Sequence, residues 1–446
     1  MRWRRPLSRV QRASDLARHF DPAWHVACMS TGQFALQLAA FPFRSAGGAA
    51  ALKALGFALW CLNVVLFCAF TVLLLIRVTV LRGAAALVRD GSQSLSLAAM
   101  PMALATVVDG ISQLLPGGFS ESARSAAVVL WWLVVALSLA ASCGLPYTMF
   151  TAHRHSLEGM SVVWAVPMLP GVVAASSGGT LALRCPPGGA AARDILLASY
   201  ALCGLSRFLS VLVLAVYFQR LALHRLRPPA QVPGLFLPAG PLGMAALDFL
   251  LLGSATRVAC PASGGGDGLA AGSPPAVEGV GLSLSGLAAV MDYGGTAAAL
   301  LLWGAAAWWV LMAAAACALN WRSIPFSLGW WGAVFPFGTF TGATLQLAAK
   351  LGSQPFRGLG AALDVLAAQG RERVAACGKH GGWQRVRGVS ELAVHRCGAH
   401  LSLERTGAPL QWQSGRKQHT CCVQPSASCW HLPSKTKGAR WRLAVC

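Results

Sequence analysis

The chain has 446 residues, of which 55% are hydrophobic and only 11% are charged. This composition excludes an ordinary soluble domain, because apolar runs of about 20 residues match the hydrocarbon thickness of a bilayer. The formal net charge of +21 does not indicate a nucleic-acid partner, since most of the arginines flank apolar segments and report membrane orientation.

The first 20 residues form a basic segment with six arginines and no apolar core of the kind that a signal peptide needs. Residues 21–349 form the predicted transmembrane transporter domain. Its nine spans lie near 23–43, 54–76, 94–114, 126–145, 160–177, 195–218, 233–254, 291–319 and 327–348. The pattern predicts an all-α polytopic membrane protein.

Arginine and lysine are unevenly divided between the predicted loops. Most of them fall before the first span and in the loops that share its side of the membrane. Short cytoplasmic loops hold this excess, so we predict a cytoplasmic N-terminus. The loops with Cys185 and Cys260 are then external, where a disulfide between them is chemically permitted.

Clean and interrupted spans alternate along the chain. The second, fourth, sixth and eighth have apolar stretches without proline, whereas the other five carry proline or glycine breaks. The predicted kinks are Pro101, Pro167, Pro170, Pro241 and Pro336. A proline frees a carbonyl one turn back, and lipid offers that carbonyl no partner. Interrupted spans therefore belong around a central, water-filled pore.

Small and hydroxyl residues accompany these breaks and could line a narrow polar path without a fixed charge. The candidates are Ser30, Thr31, Gly32, Thr106, Ser176, Ser177 and Thr339. An alternative is that these residues only permit close helix packing. Four ionisable residues also lie in or near spans: Asp109, Arg207, Asp248 and Asp292. Arg207 and Asp248 are the deeper two, and they either bear on transport or form a structural pair.

Motifs of covalent chemistry are missing from the spans, which contain neither a nucleophile elbow nor a phosphate-binding loop nor a carboxylate pair. We therefore assign no catalytic residue, no metal site and no cofactor. The expected partners are a small anion and the lipid bilayer.

The pattern changes after residue 350. Residues 350–369 begin like a tenth helix and then stop, and residues 370–446 are predicted to be a basic disordered tail. The histidines and cysteines of this tail lack paired zinc-ligand spacing. The abrupt change also fits a chain end read from intron or shifted-frame sequence.

Several ordered motifs resemble the tellurite-resistance and dicarboxylate transporter family, which includes malate permeases, slow anion channels of guard cells and sulfite efflux pumps. Phe20-Asp21-Pro22-Ala23-Trp24 is similar to the start of its first span. Ile324-Pro325-Phe326-Ser327-Leu328-Gly329 and Phe335-Pro336-Phe337-Gly338 resemble the ninth span of the sulfite pumps.

The resemblance implies ten helices in five hairpins around a pore, and commonly a homotrimer. It also implies that a phenylalanine plugs the pore, with Phe335 as the closest match and Phe337 as the fallback. Departures from the family pattern include Asp90-Gly91, Ser30 and the missing or altered tenth helix.

We therefore expect a plasma-membrane exporter of a small anion, with sulfite favoured. The alternatives are a gated anion channel or malate carrier, and a truncated membrane protein that transports nothing.

Overall fold

A computed structural model describes residues 17–42, 46–81, 83–226, 228–260, 284–325 and 329–379. The chain divides into two compact units, Met1–Gly382 and Trp383–Cys446, and every described residue belongs to the first. Most of the predicted basic N-terminus and the predicted tail beyond residue 379 lie outside the described residues.

Ten long helices lie in the described part of the chain, one at each predicted span and one after them. They are α1 Trp24–Ala39, α2 Ala46–Leu75, α3 Ala99–Gln113, α4 Glu121–Thr151, α5 Leu169–Ala182, α6 Ala190–His224, α7 Ala239–Ala259, α8 Leu284–Leu319, α9 Gly329–Leu351 and α10 Gln354–Lys379. Within these residues, seven spans are long and apolar enough to cross a membrane: those containing α2 to α8. The prediction of an all-α polytopic membrane protein is confirmed.

Five of the helices form a closed ring. Each of α1, α3, α5 and α7 packs against the next odd-numbered helix, and α9 packs back against α1. We call these five helices the ring. The even-numbered helices pack on the outside of the ring: α2, α4, α6 and α8 each contact two ring helices, and α10 packs against α9. We call these five helices the shell.

Burial separates the two sets. In the spans of α3, α5 and α7, between 67% and 83% of the most apolar stretch is buried in the protein. The corresponding share is only 17% to 33% in the spans of α2, α4, α6 and α8. Large apolar side chains such as Val65, Phe208 and Leu301 are well exposed on the shell, as a helix facing lipid requires.

The prolines of the ring lie closer to helix starts than the sequence predicted. Pro101, Pro170 and Pro241 fall in the first turns of α3, α5 and α7, where a missing N–H removes no helical hydrogen bond. Pro167 lies in a short 3-10 segment, Val162–Met168, that leads into α5. Pro336 alone among these five lies beyond the first turn of an α-helix. The interruptions are therefore mostly junctions between a tight turn and a helix.

Shell side chains supply hydrogen bonds to the interrupted backbone. Ser142 Oγ donates to the carbonyl of Pro167 at 3.1 Å, and Ser138 Oγ donates to that of Pro170 at 3.2 Å. Trp131 Nε1 donates to Ala174 O at 3.0 Å. All three donors lie on α4, so an intact helix satisfies the broken one beside it.

The helix α10 continues to Lys379, beyond the predicted end near residue 369. Residues such as Arg371 and Glu372 are too polar to span a membrane but are good helix formers, so hydropathy alone misses this extension. The helix packs against α9, and Arg357 Nη2 donates to Pro42 O at 2.9 Å beyond the end of α1. A tenth helix is thus present, and it contacts both the last ring helix, α9, and the segment that follows the first ring helix, α1.

Candidate functional site

A cavity of about 510 Å³ lies at the end of the ring where its helices begin, and we call it the N-side cavity. Every ring span contributes to its wall, for example through Met29, Met102, Leu169, Gly240 and Phe335. Among the described residues that line it, none is charged. The N-side cavity is therefore an apolar vestibule with a few polar groups.

A second cavity of about 270 Å³ lies at the opposite end of the ring, and we call it the C-side cavity. Ring residues again line it, including Gln33, Thr106, Ser176, Met244 and Gly342. Its wall is more polar than that of the N-side cavity and includes two charged side chains, Asp109 and Arg184.

A thin layer of ring residues separates the two cavities along the chain. In α1 the N-side wall ends at Met29 and the C-side wall begins at Gln33; in α9 the corresponding residues are Pro336 and Gly342. The proline and glycine junctions of α5 and α7 fall at the same level. We call this layer the septum. It consists of Ser30–Gly32, Ala103–Ala105, Pro170–Val172, Pro241–Gly243 and Phe337–Thr341.

The septum is packed closely on its α7 and α9 side. A Cβ added to Gly243 would lie 2.9 Å from the backbone nitrogen of Phe340, and one added to Gly240 would lie 3.3 Å from Pro336 Cγ. Thr339 Oγ1 donates to Pro336 O at 2.9 Å and lies 3.4 Å from Gly240 O. Glycine is therefore required here for close backbone approach rather than for a turn.

The predicted lining residues are divided by the structure. Thr106 and Ser176 line the C-side cavity, and Pro336 lines the N-side cavity. Ser30 and Thr339 are fully buried in the septum, and Ser177 is fully buried on α5 without lining either cavity. Thr31 is half-buried and lines neither. Gly32 faces Thr106 and Asn63, where no side chain would fit.

The two candidate gate residues point to different places. Phe335 is 3% exposed and lines the N-side cavity directly below the septum. Phe337 packs edge-on against Phe236, with ring centroids 6.5 Å apart. Phe335 therefore faces the N-side cavity beside Pro336, whereas Phe337 packs against Phe236.

The ionisable residues in the spans are mostly paired. Arg207 Nη2 lies 2.9 Å from Asp248 Oδ2, and Asp248 is completely buried. Asp292 bridges Arg257 of α7 and Lys350 of α9, which ties three helices together. Asp109 differs because it lines the C-side cavity and its Oδ1 atom is buried with no hydrogen-bond partner in the described part of the chain.

The disulfide that the sequence permits between Cys185 and Cys260 is not formed, and both are free thiols in the structure. Cys185 is buried behind the end of α5, and this burial raises the pKa of its thiol. Shared exposure to an oxidising compartment permits a disulfide but does not bring two loops together.

Sequence reasoning missed the glutamines of the C-side cavity: Gln33, Gln37, Gln113 and Gln346. Gln37 Nε2 donates to Gly338 O across the ring, a contact between residues 301 positions apart. The spacing of Gln33 and Gln37 by four in an apolar helix places both amides on one face. This spacing of two glutamines by four residues could have predicted a polar helix face in the first span.

A ring of parallel interrupted helices with a cavity at each end, inside an apolar shell, defines a membrane channel or transporter. The voltage-dependent anion channel family (SLAC1) matches residues 19–368. This chain belongs to that family of anion transport proteins, as the resemblance of its motifs predicted.

Individual relatives cover most of the chain. Sulfite efflux pump SSU1 of Trichophyton rubrum is 31% identical over 349 residues, which are 78% of this chain and 87% of that protein. Sulfite efflux pump SSU1 of Arthroderma otae is 31% identical over 351 residues, with the same coverage of each chain. The malic acid transport protein of Schizosaccharomyces pombe is 22% identical over 357 residues, which are 79% of this chain and 76% of that protein.

Proposed function

We propose that this protein exports a small anion, sulfite in the first place, across the plasma membrane through the centre of the ring. The observation that carries the proposal is the pair of cavities. The same five helices line both of them, and only the septum lies between. A path through one ring of this kind needs no covalent chemistry, only binding that is weak enough to release the ion.

We propose further that Phe335 is the gate. Its side chain stands at the N-side face of the septum, whereas Phe337 is occupied by its contact with Phe236. An aromatic ring closes a narrow path by steric bulk, so a small displacement at Pro336 is sufficient to open it. The prolines at the other junctions hold the ring backbone in the shape that leaves room for the two cavities.

Sulfite is favoured as substrate because the relatives with 31% identity are sulfite efflux pumps. A malate carrier is the second candidate, supported by the more distant malic acid transport protein. The arginine distribution supports a cytoplasmic N-terminus, so that export runs from the N-side cavity to the C-side cavity. A homotrimer of separately conducting subunits is the assembly that the family resemblance suggests.

Reconstituted full-length protein in vesicles tests this proposal. We expect efflux of loaded sulfite to exceed that of malate, with nitrate and chloride measured beside them and protein-free vesicles as the background. A higher rate for malate would replace the sulfite assignment with that of a dicarboxylate carrier. Background flux for all four anions would leave a membrane protein that does not transport, and would refute the proposal.

A further inference from the structure

The C-side cavity collects amide side chains from three ring helices. Gln33 comes from α1, Gln113 from the end of α3 and Gln346 from α9. In the part of the chain that the structure describes, none of these three side chains has a hydrogen-bond partner. Each amide NH₂ can donate two hydrogen bonds, so the wall offers several donors to an oxygen-bearing anion.

The charges on this wall are opposed. Arg184 is an exposed cation at the rim, and its planar guanidinium suits the oxygens of an oxyanion. Asp109 lines the same cavity; its buried Oδ1 atom has no hydrogen-bond partner of good geometry in the described residues, and the Ser177 hydroxyl is a donor that lies near its carboxyl. An ionised carboxylate would repel an anion strongly in such a confined space, whereas a neutral carboxylic acid would donate a hydrogen bond to it.

We propose that the C-side cavity is a binding site for a small oxyanion together with one proton, which is held between the Asp109 carboxyl and an oxyanion oxygen. The proton arrives either on the ligand, as in a hydrogen oxyanion, or from a hydronium ion in solution, which gives its proton to Asp109 and becomes water; no bond of the anion changes in that second case. This inference rests on the proposed function, since it supplies the chemistry by which the pathway would recognise its anion.

The site discriminates among anions by this shared proton. An oxyanion of a weak acid carries its own proton into the cavity, and Asp109 accepts the hydrogen bond. An oxyanion of a strong acid, such as nitrate, brings no proton and binds only after Asp109 has taken one from solution. Nitrate binding should therefore weaken as the pH rises, even though nitrate itself does not titrate.

Other charged groups near this end have different surroundings. Helices α2, α4 and α5 pack against α3 and carry four charged residues near this end. These are Lys53 on α2, Glu121 and Arg124 on α4, and Arg184 just after α5. Glu121 and Arg124 pair with each other on the surface, and among the four only Arg184 lines the cavity. α1 carries His25 and Cys28 only at its opposite end. Among the described residues that line this cavity, Asp109 is thus the carboxyl group whose protonation would change the charge of the wall.

Nitrate flux through reconstituted full-length protein, at equal pH on both sides of the vesicle and zero membrane potential, tests the proposal. In the wild type, we expect flux to fall by up to about tenfold per pH unit above the titration of Asp109, because one proton is lost from the site. Asp109→Asn mimics the neutral acid and should give high flux with no pH dependence. Glu121→Gln, the same change outside the cavity, should keep the wild-type profile.

If Asp109→Asn fails to fold, Asp109→Ser should also remove the pH dependence. A wild-type nitrate flux that does not vary with pH would overturn the inference, as would a variant at Asp109 that keeps the wild-type profile. Those outcomes leave the proposed function standing, because anions still pass. Background nitrate flux at every pH, in Phe335→Ala as well as in the wild type, would overturn this inference alone, whereas background flux of sulfite, malate and chloride as well would remove the proposed function with it.

Discussion

The helices of the ring and those of the shell meet different demands. Ring helices carry the junctions at Pro170 and Pro241, and most of their surface is buried. Shell helices are longer, face outward with residues such as Phe208, and donate hydrogen bonds inward from Ser138 and Ser142. An interrupted helix is therefore tolerated in a membrane when a continuous neighbouring helix satisfies its free backbone groups.

The largest difference between the buried and the exposed face of a shell helix is expected at the adjacent tryptophans of α4. Trp131 is fully buried and hydrogen-bonded to α5, whereas Trp132 is 43% exposed on the shell surface. Trp131→Ala should lower the free energy of unfolding by about 3 to 5 kcal/mol, because it opens a cavity between shell and ring and removes a donor. Thermal unfolding in detergent measures this loss.

Trp132→Ala is the matched control and should change stability little, since its ring contacts lipid or detergent. Equal losses in both variants would contradict the assignment of a buried and an exposed face to α4.

A smaller effect is expected at the ion pair between α6 and α7. Asp248→Asn keeps the shape of the buried side chain but removes the charge opposite Arg207. Because a hydrogen bond to a charged group contributes about 1.5 to 3 kcal/mol, we expect a loss of about 2 kcal/mol with unchanged anion selectivity. Chemical unfolding and flux ratios in the same preparation measure both quantities.

Glu121→Gln provides the comparison for that substitution. The Glu121 carboxylate is 77% exposed in its pair with Arg124, so we expect a change below about 0.5 kcal/mol. A shift in selectivity without loss of stability in Asp248→Asn would instead favour a direct role of the pair in transport.

The sequence was sufficient to predict the alternation of ring and shell. Proline removes a backbone N–H and frees a carbonyl in any helix, so spans that carry it must be covered by protein. A helix lies at each of the nine predicted spans, and in the described residues seven of the spans are long and apolar enough to cross a membrane. The positions of the breaks were predicted less accurately. Pro101 and Pro241 were expected to be kinks in the middle of a span, but both lie in the first turn of a helix. A helix that starts late in the bilayer has the same hydropathy profile as a kinked one.

The lining of the two cavities was harder to predict. Thr106 and Ser30 have the same character in the sequence, but Thr106 lines a cavity and Ser30 is enclosed in the septum. Which face of a helix meets the ring axis depends on packing between distant segments, such as the contact of Gln37 with Gly338. A hydropathy pattern carries no information about such pairings.

We propose that the septum closes an anion path and that Phe335 is its movable part. The direct measurement is anion flux per correctly inserted molecule in Phe335→Ala, with Phe337→Ala as the matched control. If the phenyl group of Phe335 contributes a barrier of about 2 kcal/mol, its removal should raise flux about thirtyfold, while Phe337→Ala stays near the wild type. Unchanged or reduced flux in Phe335→Ala, or the same increase in both variants, would contradict the account.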